Sequence, residues 1–271
     1  MILKKLITAW KLLCSNGIIA VLKLTYARMK AKINNQLDKR YNADNIDYKH
    51  AFNWFDRRRT EYLKLVKRCA PYINKDGCIF DIGGNIGFFS LLLSETTGFT
   101  GKIHIFEPIP NLVELCHITC EKIKATTIIH PYGLSNKSLS TTIHLAADGN
   151  IGWNTIIKSA TSSDMRPIDI DLKAFDNTGI IDIPCFIKID VEGSEYLVFD
   201  GLLDSLKKWK MKPAILCEVG WGNSHPFWEQ ELAILNELAS IGYIFYDANN
   251  KVIKAENISE SMDVLMLPEK C

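Results

Sequence analysis

The chain has 271 residues, 47% hydrophobic and 23% charged, with 32 Lys and Arg against 31 Asp and Glu. That balance excludes a disordered, collagen-like or multi-pass membrane chain, and the length suits one domain of roughly 200 residues plus an extension. The net charge of +1 hides an asymmetry: Met1 to Arg40 holds nine Lys or Arg and one acid, Asp38, a net of +8 that leaves −7 for the rest. A basic arm on a mildly acidic body implies an anionic partner for the arm, whereas the body lacks the basic surplus of a nucleic-acid binder.

In the arm, Leu3, Leu6, Ile7, Trp10, Leu13 and Cys14 recur at spacings of three and four, with Lys4, Lys5 and Lys11 largely off the stripe. This predicts an amphipathic helix. The uncharged stretch Leu12 to Leu22 is too short to span a bilayer, and no small-residue cleavage pattern marks a signal peptide. The stripe suits peripheral contact with the anionic inner face of a membrane, or docking on its own domain or on a second subunit such as a homodimer partner. Residues 1–47 are read as this extension and 48–271 as the folded domain.

The pattern then predicts a helix from Tyr48 to Ala70, ended by Pro71 and the Asn74, Asp76, Gly77 cluster. Strands are expected at Cys78–Ile82, Lys102–Phe106, Thr126–His130, Ser140–Leu145, Cys185–Val191, Ala214–Val219, Tyr243–Tyr246 and Asp263–Leu267. Helices are expected at Ile86–Glu95, Asn111–Lys124, Glu195–Leu206 and Trp228–Ile241. Such alternation predicts an α/β fold with a mainly parallel sheet wound on both faces, its ligand beyond the carboxyl ends of the strands. Ala146 to Asp171, with Gly149, Asn150, Gly152 and Trp153 near its start, reads as a long irregular connection of the kind that forms a lid.

Eight cysteines (Cys14, Cys69, Cys78, Cys116, Cys120, Cys185, Cys217, Cys271) form no CxxC pair and no zinc-type cluster. Cys78, Cys185 and Cys217 lie in apolar strand-like runs, where a thiol behaves as a small hydrophobe. The pattern suits a reducing, cytoplasmic compartment.

The chemistry concentrates at strand ends. Asp81-x-Gly83-x-Asn85-x-Gly87 marks a strand-to-helix turn at which a backbone can approach a ligand closely and a helix start can offer free N–H groups. A nicotinamide fingerprint would require glycines at 83, 85 and 88, where this chain has Asn85 and Phe88. Glu107, ending the second strand about 20 residues later, suits the two hydroxyls of a ribose. Together these features suit S-adenosylmethionine (SAM).

Lys188-Ile189-Asp190-Val191-Glu192-Gly193-Ser194-Glu195 resembles the KIDVEGxE signature of FkbM-type methyltransferases. Asp81 to Gly87 matches that family's DxGxNxG turn, and Ile105-Phe106-Glu107-Pro108-Ile109-Pro110 its AFEPxP element. Leu216-Cys217-Glu218-Val219 stands for its late acidic strand. The resemblance covers roughly Cys78 to Val219 and departs from the family pattern at Leu172-Lys173 and Tyr132-Gly133.

It implies a SAM-dependent O-methyltransferase with a Rossmann-like class I sheet of seven mostly parallel strands. Asp81, Gly83, Gly84, Asn85 and Gly87 would line the methionine part of the cofactor, with Glu107 and Pro108 at its ribose. Gly133 and Leu134, followed by Ser135, would lie near the adenine. Asp190 would serve both cofactor and catalysis. The acceptor implied is a hydroxyl of a sugar, in a surface polysaccharide or other glycan. The rivals are a small natural product as acceptor and a catalytically idle binding protein of the same fold.

Asp190, Glu192 and Glu218 should converge at the carboxyl edge of the sheet as base and acceptor positioners. Asp190 and Glu218 could also hold Mg²⁺, which carboxylate oxygens suit, although the resemblance does not require a metal. His225, in the glycine-rich Gly220–Pro226 loop, is a further candidate base. The plainer readings are that Glu192 or Ser194 caps the following helix, that His225 is an exposed loop residue, and that Trp153 and Trp221 pack core and do not stack on a sugar.

Overall fold

Two helices open the folded body where one was expected. The computed structural model describes residues 40–147 and 149–269, so the predicted arm helix lies outside the described residues. α1 (Tyr48–Asp56) begins where the Asp47 carboxylate accepts the His50 N–H at 3.0 Å. The chain turns at Arg58 before α2 (Arg59–Cys69), and the Arg58 guanidinium lies 3.7 Å over the Trp54 ring. No Gly or Pro marks this break; packing of the Arg58 side chain back onto α1 accompanies it. The body also reaches upstream of Tyr48, because Ala43 and Ile46 are core residues and Asn111 Nδ2 donates to both their carbonyls.

Next come β1 (Cys78–Ile82), α3 (Phe88–Thr97), β2 (Lys102–Phe106), α4 (Pro110–Cys120) and β3 (Thr126–His130). Three strands follow, β4 (Gly133–Ser135), β5 (Leu139–Leu145) and β6 (Arg166–Ala174). The chain closes through β7 (Phe186–Ile189), α5 (Glu195–Lys208), β8 (Ala214–Val219), α6 (Trp228–Ser240), β9 (Tyr243–Tyr246), β10 (Val252–Ile253) and β11 (Met262–Pro268).

The main sheet has the order β10-β9-β11-β8-β7-β1-β2-β3. The stretch from β3 to β8 is parallel, while β11 runs antiparallel to both β8 and β9. The expected seven strands are thus eight, the extra one being the two-residue β10 that pairs with β9 at the edge. All five residues of β1 are buried, as a strand covered by helices on both faces requires. Since β1 sits between β2 and β7, the chain reverses its direction of winding there, and a crevice opens beyond its carboxyl end.

The expected irregular connection Ala146–Asp171 runs without a strand only as far as Met165. From Arg166 it is strand β6, paired parallel to β4 and antiparallel to β5 in a separate three-stranded sheet. Ile170 and Leu172 of β6 are buried while Asp169 and Asp171 face solvent, the alternation of a half-buried strand. Far from this small sheet, Arg68 of α2 donates to the carbonyls of Tyr246, Asp247 and Asp263 and to Asn250 Oδ1. That one guanidinium ties the entry helices to the C-terminal edge of the main sheet. Among the described residues no helix is long and apolar enough to cross a membrane.

Candidate active site

The crevice at β1 holds a cavity of about 290 Å³, floored by the turns after β1, β2 and β7 and walled by α1, α2 and the small sheet. Gly83 shapes its floor. Its φ is +75°, and a β-carbon there would lie 1.9 Å from the Asp190 carbonyl oxygen, so only glycine lets the two turns touch. Asn85 follows with φ +50°. Its Nδ2 donates to the Ile151 carbonyl at 2.9 Å, which fastens the loop before β6 to this floor.

Glu107 is buried and accepts the Asn85 N–H and the Ile109 N–H, both at 2.9 Å, one on each carboxylate oxygen. Burial pushes its pKa up to about 7 despite those two donors. Each oxygen keeps a lone pair for a further hydroxyl. Gly84, Pro108, Gly133 and Leu134 line the same cavity, as expected.

Asp81 and Gly87 do not line it. Asp81 is fully buried behind the turn, where Oδ2 accepts the Ser90 hydroxyl at 2.6 Å and Oδ1 has no hydrogen-bond partner. Lys188 Nζ lies 3.8 Å from that Oδ1, 3.0 Å from Asp190 Oδ2 and 3.1 Å from the Gly83 carbonyl oxygen to which it donates. Burial alone would lower the Lys188 pKa, but Asp190 and Asp81 outweigh it and hold the ammonium charged. Gly87 instead lets α3 approach α4: a β-carbon there would stand 3.1 Å from Cys116 Sγ.

Asp190, Glu192 and Glu218 do converge on the cavity. The negative charge of Asp190, followed by burial, pushes Glu218 up to about 7. Burial, followed by Asp190 and Glu218, pushes Glu192 up to about 10. Asp263, raised by burial and by Asp190 to about 6, completes the group from β11. Among the described residues no three His, Cys, Asp or Glu side chains are arranged as metal ligands.

His225 stands outside the cavity lining. Its Nε2 lies 2.7 Å from the Gly193 carbonyl oxygen and its Nδ1 accepts the Phe227 N–H at 3.1 Å, so the neutral ring has both nitrogens engaged. Burial lowers its pKa, which favours that neutral form. Trp221 stacks on His225 at 5.0 Å and, like Trp153, is absent from the cavity wall. Ser194, the residue before α5, makes no capping bond.

A second chamber of about 310 Å³ adjoins the first and shares Arg58, Tyr62, Phe89, Lys188, Asp190 and Glu218 with it. Glu61 and Asp263 add acidic groups. The wall residues Trp54, Arg58 and Tyr62 carry no local motif, and sequence reading missed them. The aromatic clustering of Trp54, Phe55 and Tyr62 on two short helices before the first strand was the available signal.

The Methyltransferase FkbM domain model matches residues 81–245. The chain belongs to the FkbM methyltransferase family. Residues 81–245 are therefore an FkbM methyltransferase domain, on the Rossmann-like class I fold whose strand order is described above. The chain is 26% identical over 143 residues to the hexuronic acid methyltransferase AglP of Haloferax volcanii, covering 53% of this chain and 57% of that protein. The alignment thus spans little more than half of the curated relative. Among solved structures, a putative rRNA-methylase from Clostridium thermocellum is similar at 9% identity, with 76% of this chain and 94% of that chain covered and a TM-score of 0.46. An O-methyltransferase from Bacillus cereus in complex with SAH is similar at 10% identity, with 76% and 79% covered and a TM-score of 0.42.

The residues present in the FkbM domain fit SAM. The glycine floor leaves backbone exposed where a side chain would fill the space. Glu107 offers a carboxylate to a diol, and Leu134, Ile170 and Leu172 give an apolar wall for a flat base. Asp190, beside the cavity floor, supplies negative charge that suits a sulfonium.

Proposed function

We propose that this FkbM methyltransferase methylates a hydroxyl of a sugar, within a surface polysaccharide or another glycan. The observation that carries this reading is the second chamber. It opens directly from the cofactor cavity and is lined by Glu61, Asp190, Glu218 and Asp263 together with Arg58 and Tyr62. Such a surface is rich in acceptors for hydroxyl protons, with charged donors beside them, and suits a polyhydroxy compound better than an apolar one. The likeness to a protein named hexuronic acid methyltransferase supports the same acceptor class.

When bound, SAM supplies an electrophilic methyl group carried on a positively charged sulfur. The protein's own residues do the rest. Asp190 and Glu218 receive the acceptor hydroxyl at the junction of the two chambers, which fixes its oxygen toward the cofactor side. Glu218, raised toward neutrality chiefly by Asp190, takes the hydroxyl proton as the acceptor oxygen gains its methyl group. Glu192 is protonated near neutral pH and can donate a hydrogen bond in the same cavity.

In this reading the basic residues 1–40 hold the enzyme at the anionic inner face of a membrane where glycans are assembled. Nucleic acid is not its substrate.

The test is methyl transfer from labelled SAM to a panel of sugar nucleotides and oligosaccharides, with and without Mg²⁺ and with chelator, followed by NMR location of the methyl group. A methyl ether on a sugar carbon is the expected product. Saturable SAM binding with transfer only to non-sugar hydroxyls, or to nitrogen, would overturn the acceptor assignment.

A further inference from the structure

The edge of the main sheet opposite the cavity carries apolar side chains that the fold does not cover. Parallel β7 and β8 start side by side, with Phe186 in register with Ala214 and the Ala214 N–H donating to the Cys185 carbonyl at 3.1 Å. Ile183 and Met211, each three residues upstream of that pair, therefore leave the sheet at the same edge. Ile183 is 51% exposed, Met211 78%, and Ile181 of the same loop 93%. Single exposed apolar side chains are ordinary, but three on two adjoining loops form a patch of the kind that meets a partner.

Lysines border the patch. The run Lys207-Lys208-Trp209-Lys210-Met211-Lys212 holds no acid. Lys207 pairs with Glu237 of α6 at 2.6 Å, whereas Lys208, Lys210 and Lys212 have no ion-pair partner among the described residues. Asp182, the acid between Ile181 and Ile183, is already engaged by Lys102 at 2.9 Å and by His104 at 3.1 Å. Trp209 sets its ring edge-on against Phe175 at 5.9 Å, which fixes the lysine run to the body.

Charge and shape together select the occupant. Residues 1–40 carry +8, so these lysines repel the arm, and a second copy of the same edge would bring like charge to like. Ile181, Ile183 and Met211 project from loops and line neither chamber, so they offer a partner tips and no slot. Nucleic acid would take the lysines on its phosphates and leave the apolar tips in water. An anionic bilayer takes both at once, the tips at the acyl boundary and the ammonium groups among the headgroups.

We propose that this edge of the FkbM domain docks on an anionic lipid bilayer, with Ile181, Ile183 and Met211 entering it and Lys208, Lys210 and Lys212 meeting the headgroups. The cofactor cavity lies at the opposite, carboxyl edge, so the docked domain turns its cavity away from lipid and receives its acceptor from water. The inference rests neither on the anchoring role of residues 1–40 nor on the sugar acceptor.

The experiment uses the full chain with vesicles of phosphatidylcholine alone and with about one third phosphatidylglycerol, read by amide hydrogen exchange and by flotation. On the anionic vesicles exchange should slow in residues 179–183 and 209–212. Ile181→Ser combined with Met211→Ser should weaken binding about tenfold and leave Tm and SAM affinity at parental values, since neither side chain reaches the core or the cavity. Lys208→Gln combined with Lys210→Gln should weaken binding as well and flatten its dependence on salt. Slowing confined to residues 1–40, equal binding to the two kinds of vesicle, or parental affinity in the serine variant would overturn the proposal. No readout needs an acceptor, so failure of the sugar assignment would leave all of them intact.

Discussion

A β-carbon on Gly83 would stand 1.9 Å from the carbonyl oxygen of Asp190, so the turns after β1 and β7 meet backbone to backbone. Asp190 N–H also donates to the Ile82 carbonyl at 3.1 Å, which locks the two strand ends in register. The cofactor floor and the acidic edge are one rigid piece.

Gly83→Ala should accordingly be among the most damaging single changes in the domain. It adds a backbone clash to a left-handed φ and should cost about 2 kcal/mol or more. For a chain of this size that is a fall of roughly 4–8 °C in Tm. Thermal unfolding checks it, and a variant with parental Tm and SAM affinity would mean the two turns part easily.

Lys188 is the buried cation between Asp81 and Asp190. Lys188→Met leaves those carboxylates facing each other and should destabilise by about 3–5 kcal/mol in denaturant unfolding. Adding Asp81→Asn should recover part of that loss, because it removes one of the two stranded charges. Strictly additive effects in the double-mutant cycle would show that the ammonium and Asp81 do not interact.

Cofactor affinity should depend on pH in a way that separates SAM from its demethylated product. Glu218, held near 7 by the charge of Asp190 and by burial, is partly protonated at neutral pH, and Glu192, held near 10 by burial and by Asp190 and Glu218, is protonated. A cation placed beside them favours ionisation, so SAM binding at neutral pH should release protons and strengthen as pH rises between about 6 and 8. The uncharged thioether product should show a smaller effect. Calorimetry in buffers of different ionisation enthalpy measures the proton count, and Glu218→Gln should reduce it.

His225→Ala should slow methyl transfer about tenfold by freeing the Gly193 carbonyl, with no change in the shape of the pH–rate profile. Loss of a limb from that profile would return His225 to the role of proton acceptor.

Most strands of the main sheet were legible from sequence because each is a short apolar run bounded by turn residues. β1, β2, β3, β8 and β9 occupy the spans their patterns predicted. β6 was passed over although Ile168, Ile170 and Leu172 alternate with Asp169, Asp171 and Lys173. Pro167 and the polar stretch before it masked a period of two. Within the site, motif spacing found Gly83, Asn85, Glu107, Asp190 and Glu218 because these stand at strand ends. Spacing could not separate Asp81 and Gly87, which support the turn from behind, from residues that face the ligand. Nor could it find Trp54, Arg58 and Tyr62, which reach the cavity from helices more than a hundred residues upstream of Asp190.

Arg68 has a bearing on the order in which the molecule is assembled. Its guanidinium reaches carbonyls 178 and 195 residues further along the chain. As synthesis proceeds from the N-terminus, the helix carrying Tyr62 can pack early on Phe88 of α3, whereas its guanidinium clamp closes only when the final strands emerge. A chain stopped short of Asp263 would lack both that carboxylate of the second chamber and the carbonyl it offers to Arg68, leaving the wall that Tyr62 forms tied at fewer points.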